Sequence, residues 1–248
     1  MTGCSAGASD IVLPPAGGVA DYQLGGSYSL EPEVRIVARD STETPAAGLY
    51  SICYLNGFQS QPGAEWPREL LLTDASGAPL ADPGWPDEYL FDISTAANRD
   101  QLSEALAESI RGCASDGFQA VEFDNFDSYT RSAGALTQAD AVAFATDLVA
   151  VAHTAGLAAG QKNAPDLAAE GATSIGFDFA VAEECFRYQE CASYTDAYGQ
   201  HVIDVEYADD VPATFAEVCA SGDRPESLML RDHNLTVRGT DGYVYQHC

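Results

Sequence analysis

Short apolar runs recur along this sequence, and each is followed by a helix-like segment or a long connection. Eight of these runs have the length and residue types of β-strands, namely 21–24, 34–40, 48–54, 118–124, 157–162, 177–183, 201–207 and 227–231. Strands that alternate with helices are typical of parallel sheets, and 248 residues is near the usual size of one eight-stranded α/β barrel. We therefore predict an α/β fold, a single-domain (β/α)8 TIM barrel over residues 20–248, preceded by a flexible N-terminal tail over residues 1–19.

Two of the predicted helices have strong local signals. One spans residues 98–113, where apolar side chains recur at helical spacing at Leu102, Leu106, Ile110 and Cys113. The other begins after Thr137, a good N-cap residue, with Asp140 placed to complete a capping box. Both helices separate predicted strands, as the barrel requires.

Polar residues follow the predicted strands at their carboxyl ends. They are Asp40, Asn56, Asp124, Asn163, Glu183, Glu206 and Asp232. In a barrel of parallel strands these ends share one face, and that face carries the active site. An open sheet would spread the same residues along an edge. No glycine-rich phosphate-binding motif opens a helix, so a nucleotide-binding fold has no support.

The segment from Val121 to Tyr129 is an apolar strand that ends in a burst of carboxylates. Strand alternation puts Glu122 and Asp124 on the same side, with Glu122 one layer deeper. A second burst contains the adjacent residues Glu183 and Glu184, of which only one can point into the barrel mouth, and the pattern alone does not say which. Two carboxylates at strand ends are what hydrolysis of a glycosidic bond needs.

Other chemistry finds little support. The acidic segment after Asp124 lacks the glycine and the alternating ligands of a calcium loop. The four histidines are scattered without metal-ligand spacing, and there is no Gly-x-Ser-x-Gly elbow for a serine nucleophile. We expect no metal and no cofactor.

The charge of the chain limits its partners. The formal net charge is −27 and the isoelectric point is about 4.1. Nucleic-acid binding needs clustered Lys and Arg, so we expect no nucleic-acid partner. A cationic or neutral polysaccharide fits better. Steering of a cationic substrate and adaptation to salt or to an extracellular setting both remain open explanations of the acidic surface.

Seven cysteines occur in the chain, of which Cys4 stands apart near the N-terminus. Its surroundings resemble the end of a bacterial lipoprotein signal, which would make Cys4 a lipid anchor; the alternative is a free thiol. The other six can form three disulfides, as in an oxidising compartment. Cys185 and Cys191 are close enough to pair locally, whereas pairing Cys53 with Cys113 and Cys219 with Cys248 is one of several connectivities. We expect a secreted or cell-surface protein, without a transmembrane segment, that is a monomer.

Further residues are candidates for substrate binding. Lys162 is one of only eleven basic residues and lies at a strand end among acids, where it can hold a carboxylate ionised or bind a sugar hydroxyl. Aromatic side chains can stack on sugar rings, although most aromatics of a barrel belong to its core. The full set of predicted substrate-binding residues is Tyr22, Asp40, Tyr54, Asn56, Trp85, Asp127, Lys162, Asn163, Glu206 and Tyr207.

Several segments together resemble glycoside hydrolase family 114, the endo-α-1,4-polygalactosaminidase-like barrels. The resemblance runs from about Asp21 to about Asp232. Its most specific part is the Phe-Asp-Asn-Phe-Asp-Ser-Tyr sequence that ends at Tyr129. Weaker parts are Asp21 to Leu24, Tyr54 to Gly57, Trp85 to Asp92, Gly160 to Asn163, and Val181 to Cys185 with Cys191. Asp21 stands where members of the family often have an aromatic residue.

The resemblance implies a (β/α)8 barrel that hydrolyses α-1,4-linked galactosamine or N-acetylgalactosamine polymers. It also implies Asp124 and Glu183 as the catalytic pair, since Glu183 stands two residues before Cys185. We predict Asp124 as nucleophile or base and Glu183 as acid, with the reverse assignment and the stereochemistry open. The competing hypotheses are a glycosidase acting on another α-linked polysaccharide, a surface carbohydrate-binding barrel without turnover, and a structural lipoprotein.

Overall fold

The computed structural model describes residues 11–248 of the chain. Its strands are β1 (Ala20–Gln23), β2 (Ile36–Asp40), β3 (Tyr50–Asn56), β4 (Ala120–Asp124), β5 (Ala158–Lys162), β6 (Phe179–Glu183), β7 (Val202–Tyr207), β8 (Ser227–Arg231) and β9 (Tyr245–His247). Its helices are α1 (Ala96–Asp116), α2 (Gln138–Thr154), α3 (Ala168–Glu170), α4 (Cys185–Tyr188), α5 (Cys191–Tyr198) and α6 (Phe215–Ala220). Short 3-10 turns cover Arg68–Leu70, Ser128–Arg131 and Pro165–Leu167, and a π-helical turn covers Gly171–Ile175.

The strands form one nearly closed barrel in sequence order. Strands β1 to β8 pair with their neighbours in parallel, which confirms the predicted (β/α)8 barrel. Strand β9 was not predicted, and it pairs antiparallel with β8. Tyr245 and His247 are only partly buried and Gln246 is exposed, and the strand has no apolar run like those that mark the other strands.

Side chains close the gap between the last parallel strand and the first. The guanidinium of Arg231, at the end of β8, is fully buried, donates to the backbone carbonyl of Tyr22, and pairs with Asp21 at 3.2 Å. The hydroxyl of Tyr245, in β9, donates to the carbonyl of Ala20 at 3.0 Å. This gap between β8 and β1, held by Arg231 and Tyr245, is called the seam below.

The barrel interior is filled by inward-facing residues of alternating size. Ala120 and Ala158 leave room for larger side chains such as Ile52 and Phe179, and all four are completely buried. Gly160 also makes room for Phe179, because a Cβ at this position would lie 2.5 Å from the Phe179 ring. A filled interior places the open space above the carboxyl ends of the strands.

Helices α1 and α2 pack on the outside of the barrel, and capping residues set where they begin or end. The side chain of Thr95 caps α1 at the amide of Asn98, and Gly117 ends the helix with a φ of 100°. The predicted capping box between Thr137 and Asp140 is present at the start of α2. Each satisfies backbone groups that a helix end leaves without partners.

The first turns of the barrel depart from the regular pattern. No helix lies between β1 and β2 or between β2 and β3. Residues 57–95 instead fold back on themselves, with bridges that join Gln59 to Leu90 and Leu71 to Phe91. Leu70, Leu90 and Phe91 of this connection are buried in the outer core. It therefore forms a fixed wall above the ends of β3 and β4.

Three disulfides and the segment over residues 11–19 are attached to the barrel. All three disulfides considered from the sequence are present, joining Cys53 to Cys113, Cys185 to Cys191 and Cys219 to Cys248. Residues 11–19 contact the barrel, because Tyr50 donates to the carbonyl of Val12 and His201 bonds the carbonyl of Pro14.

The start of the predicted tail, including Cys4, lies outside the described residues, and the domain boundary at residue 19 remains a prediction. Among residues 11–248, no helix combines the length and apolar character that crossing a bilayer demands.

Candidate active site

A buried lysine lies at the centre of the barrel mouth. Lys162 ends β5, and its side chain is only 2% exposed. Its Nζ lies 3.1 Å from Asp124 Oδ1, 3.0 Å from Glu183 Oε2 and 3.9 Å from Glu122 Oε1. These four residues are called the mouth cluster. One cation thus holds three carboxylates that come from strands on both sides of it.

Asp124 is held by three donors. Tyr54 donates its hydroxyl to Oδ2 at 2.5 Å, and Oδ1 accepts both Lys162 and the amide of Asn125, the latter at 2.8 Å. Tyr54 lies on β3 in register with Glu122 of the neighbouring β4, and its long side chain reaches from there to the carboxylate of Asp124. The left-handed backbone of Asn125, with a φ of 64°, turns the chain sharply away from the mouth.

Glu183 has a closely similar set of partners. Tyr207 donates to Oε1 at 2.5 Å, and Oε2 accepts Lys162 and the side-chain amide of Asn163 at 3.0 Å. The Oδ1 of Asn163 in turn accepts the backbone amide of Glu183. Glu184 takes the opposite direction and lies 3.7 Å from Arg187. Glu183 is therefore the residue of this adjacent pair that faces the mouth.

The charges of the mouth cluster are set by these contacts. Burial alone would lower the pKa of Lys162, but the surrounding carboxylates outweigh it and hold this pKa well above its usual value. Burial alone would raise the pKa of Glu183, but Lys162, Tyr207 and Asn163 outweigh it and lower this pKa to about 2. Lys162 and Glu183 are thus both charged at neutral pH.

Glu122 lies below the other members of the mouth cluster and is completely buried. Tyr22 donates to its Oε1 at 2.5 Å, while Oε2 has no protein partner among the described residues. Burial raises the pKa of Glu122 to about 7, against the opposing effects of Lys162 and Tyr22. Near neutral pH this carboxyl is therefore partly protonated.

A cleft of about 610 Å³ opens above Asp124, Lys162 and Glu183. This volume is within the usual range for small-ligand sites. Trp85, 64% exposed, lines it from the 57–95 connection. On the opposite side, His233 stacks on the ring of Tyr207 with centroids 4.0 Å apart. Flat side chains next to a carboxylate pair suit a chain of sugar rings.

Comparison with known proteins agrees with this geometry. The family model of glycoside-hydrolase family GH114 matches residues 2–248. This chain belongs to that family and is a glycoside hydrolase. No curated protein matches the sequence significantly.

Two solved structures show the same fold as this GH114 barrel. Ega3 of Aspergillus fumigatus, determined in complex with galactosamine, is 22% identical, with 96% of this chain and 97% of that chain covered and a TM-score of 0.76. The glycoside hydrolase domain of PelA from Pseudomonas aeruginosa is 13% identical, with 90% and 97% covered and a TM-score of 0.58.

Most of the predicted site residues line the cleft of this GH114 barrel. They are Asp40, Tyr54, Trp85, Asp124, Asp127, Lys162, Asn163, Glu183 and Tyr207. One oxygen of Asp40 also accepts the amide and hydroxyl of Thr42, which fixes the turn after β2. Among the predicted aromatic residues of the cleft, Trp85 is placed to stack on a sugar ring. Tyr54 and Tyr207 instead donate their hydroxyls to the carboxylates.

Three predicted binding residues lie elsewhere. Tyr22 is 1% exposed and lies beneath the cleft, where its hydroxyl contacts Glu122. Asn56 lies behind the cleft wall and donates to Glu88 at 2.7 Å. Glu206 faces the outside of the barrel, because Tyr207 faces the inside and adjacent strand residues point in opposite directions. Its Oε1 accepts the amides of Phe186 and Arg187.

Other cleft residues did not stand out in the sequence. Arg131 pairs with Asp82 at 2.5 Å and with Asp127 at 2.8 Å, joining two loops across the cleft wall. Glu88 and His233 also line the cleft. The only signal for Glu88 is its place inside the segment from Trp85 to Asp92 that carries the family resemblance.

Within residues 11–248, two groups of side chains have the spacing of metal ligands. One consists of Cys185, Cys191 and Asp204, but its sulfurs are joined in a disulfide. The other consists of Glu31, Glu33 and His247. None of these residues lines the cleft, so they bear on no step of the proposed chemistry.

Proposed function

We propose that this GH114 barrel is an extracellular endo-glycosidase that cleaves α-1,4-linked galactosamine or N-acetylgalactosamine polysaccharide. Asp124 and Glu183 are the catalytic carboxyls. Family membership supports the hydrolysis, and the galactosamine complex of Ega3 supports the class of sugar. Three disulfides are typical of an exported protein and support the extracellular setting.

The observation that carries the proposal is that a single lysine contacts both carboxyls. Because Nζ of Lys162 lies 3.1 Å from Asp124 and 3.0 Å from Glu183, the oxygens it contacts are at most about 6 Å apart. Retaining glycosidases hold their carboxyls about 5 to 5.5 Å apart, and inverting ones about 6.5 to 9.5 Å apart. The short separation supports retention through a covalent glycosyl-enzyme.

Roles within the pair follow from protonation. A general acid has to carry a proton when the sugar binds, whereas a nucleophile has to be ionised. The low pKa of Glu183 suits the nucleophile, so we assign that role to Glu183 and the acid/base role to Asp124. This is the reverse of the assignment favoured from the sequence, which left both open.

In this mechanism Asp124 donates a proton to the glycosidic oxygen as its bond to the anomeric carbon breaks. Glu183 attacks that carbon and forms an ester. Asp124 then removes a proton from water, whose oxygen displaces Glu183 from the same carbon. Lys162 stays charged and stabilises whichever carboxylate is ionised at each stage.

The charge of the cleft supports a cationic polymer. Its lining contains more acids than bases. The acids are Asp40, Asp82, Glu88, Asp124, Asp127 and Glu183, and the bases are Arg131, Lys162 and His233. Substrate amines would be attracted to such a cleft, whereas an anionic polysaccharide would be repelled.

The test is release of reducing ends from partly deacetylated α-1,4-galactosaminan, with the anomer of the first product followed by NMR. We expect release with retention. Alanine variants of Glu183 and Asp124, supplied with azide, then separate the roles: loss of the nucleophile gives a glycosyl azide of inverted configuration, and loss of the acid/base gives the retained one. Absence of release by folded wild-type protein would refute the proposed substrate, and an inverted first product would refute the mechanism.

A further inference from the structure

Glu88 is a carboxylate of the cleft that has no cationic partner. It lies on the 57–95 connection, is partly exposed, and lines the cleft near Asp124. Among residues 11–248, no Lys, Arg or His nitrogen lies within the 4.0 Å of an ion pair with it. The other acids of this wall differ, because Asp82 and Asp127 both pair with Arg131.

A ring of hydrogen bonds fixes Glu88 in place. Its Oε2 accepts the side-chain amides of Asn56 at 2.7 Å and Gln59 at 3.1 Å. Asn56 accepts from the amide of Asn125 at 2.9 Å, and Arg131 donates to both Asn125 and Gln59 at 2.9 and 3.2 Å. These five side chains are called the amide ring.

The amide ring sets the orientation of every group in it. Arg131 can only donate, so the oxygens of Asn125 and Gln59 must face it, and their nitrogens must face the other way. Asn56 and Gln59 are almost completely buried, so neither can turn toward solvent. All donors therefore end on one oxygen of Glu88, and its other oxygen is left to the cleft.

The position of the amide ring links Glu88 to the reacting centre. Asn125 follows Asp124 directly, and the amide of Gly57 donates to the Asp124 carbonyl at 3.2 Å. Trp85, three residues before Glu88, presents its ring to the same cleft. A sugar stacked on Trp85 would thus have its substituents near a fixed, unpaired carboxylate.

We propose that Glu88 binds the ammonium group of a galactosamine unit and so selects deacetylated over N-acetylated sugar in the cleft. This inference rests on the proposed function and adds the residue that distinguishes a free amine from an N-acetyl group. Only the free amine is charged, so only it can form an ion pair with the carboxylate. An N-acetyl group offers a neutral N–H and no charge, so it would leave the desolvated carboxylate without a counter-charge, which disfavours binding.

The negative charges around Glu88 support this assignment. Burial raises its pKa, the amides of Asn56 and Gln59 oppose the rise, and Asp124 and Asp82 add to it. An incoming cation next to these carboxyls favours the ionised form of Glu88 and offsets their mutual repulsion. An ammonium group supplies that charge.

The experiment compares wild-type protein with Glu88→Gln on two α-1,4-linked oligosaccharides of equal length, one fully deacetylated and one fully N-acetylated. Gln keeps the size of the side chain and an acceptor for the amide ring. We expect kcat/KM to fall about 10- to 100-fold on the deacetylated substrate, the factor that one charge-assisted hydrogen bond supplies. On the N-acetylated substrate kcat/KM should not fall.

Asp87→Asn is the matched control, because it removes the same charge from the adjacent, exposed residue. A general effect of net charge would lower the rate of both variants. Thermal unfolding and circular dichroism establish that Glu88→Gln is folded. If it is not, Glu88→Asp, which retains the charge, takes its place and should keep part of the preference for the amine.

The outcomes separate this inference from the proposed function. An equal loss on both substrates, or no loss on either, would overturn the role of Glu88 while leaving the glycosidase intact. If wild-type protein cleaves neither substrate, the proposed function fails, and calorimetric titration with galactosamine decides about Glu88. Binding that Glu88→Gln abolishes and that N-acetylgalactosamine does not reproduce would support the inference; any other titration result would overturn it.

Discussion

Two groups of carboxylates at strand ends of this barrel have opposite environments. The mouth cluster faces inward and surrounds Lys162. The second group, called the outer pair, consists of Asp204 and Glu206 on β7, which face outward and are completely buried. The outer pair accepts backbone amides at the start of α4, among them that of Cys185 at 3.2 Å.

The difference between the two groups is a cation. Lys162 contacts Asp124 and Glu183 and keeps the pKa of Glu183 low. No Lys, Arg or His of the described residues forms an ion pair with the outer pair; burial and the charge of Glu206 raise the pKa of Asp204 well above its usual value. Of two similar groups at neighbouring strand ends, the one that contains a cation thus keeps Glu183 ionised, whereas the one without a cation holds a proton.

The comparison is tested most strongly by removing one glutamate from each group. Glu183→Gln should lower kcat about 10³-fold or more, because the proposed nucleophile is lost. Glu206→Gln should retain most of the activity, because its side chain lies on the far side of β7 from the cleft. Reducing-end release by the two purified variants is the measurement. Comparable losses in both would show that the outer pair also serves catalysis.

A second effect, on stability and not on the rate, is expected when the cation is removed. Lys162→Met should lower the free energy of unfolding by about 3 to 5 kcal/mol, the usual result of breaking a buried ion pair from one side. Urea unfolding at neutral pH measures it. Adding Glu122→Gln should restore part of the loss, because one buried carboxylate fewer is then left without its partner. Unchanged stability would mean that water replaces the cation.

The smallest effect is expected for Asp204→Asn. Asn keeps the acceptor for the amide of Cys185 and can donate to Glu206, so the free energy of unfolding at neutral pH should change by less than about 1 kcal/mol.

The pH dependence of this variant is more informative. Between the ordinary and the raised pKa of Asp204, the folded protein holds a proton that the unfolded chain has lost, so wild-type stability falls as the pH rises. The variant should lose less stability between about pH 5 and pH 8. Parallel curves from urea unfolding of both proteins would contradict the raised pKa.

The sequence predicted the barrel and the strand ends that surround the cleft because both are local. Each strand is an apolar run, and the ends of parallel strands share a face whatever the loops do. The direction of single side chains was harder. Glu206 and Tyr207 were both assigned to the cleft, although adjacent residues of a strand cannot share a side.

What the sequence did not predict depends on long-range packing. The amide ring joins residues of the 57–95 connection to the loop after β4, and the two sides are up to 72 positions apart. Neither Gln59 nor Arg131 carries a local pattern that points to the other. Tyr22 was similar, because whether an aromatic side chain lies in the cleft or beneath it depends on the layer that its neighbours fill.

The seam has a consequence for how the chain folds after synthesis. The contact between Arg231 and Tyr22 joins residues 209 positions apart, and Tyr245 reaches Ala20 across 225 positions. Bringing such distant segments together carries a large entropic penalty and slows folding. During synthesis, β1 therefore cannot make its contacts with β8 and β9 until nearly the whole chain has been made. Until then, the edge of β1 that faces β8 at the seam is exposed and can pair with another unpaired strand, including one from a second molecule.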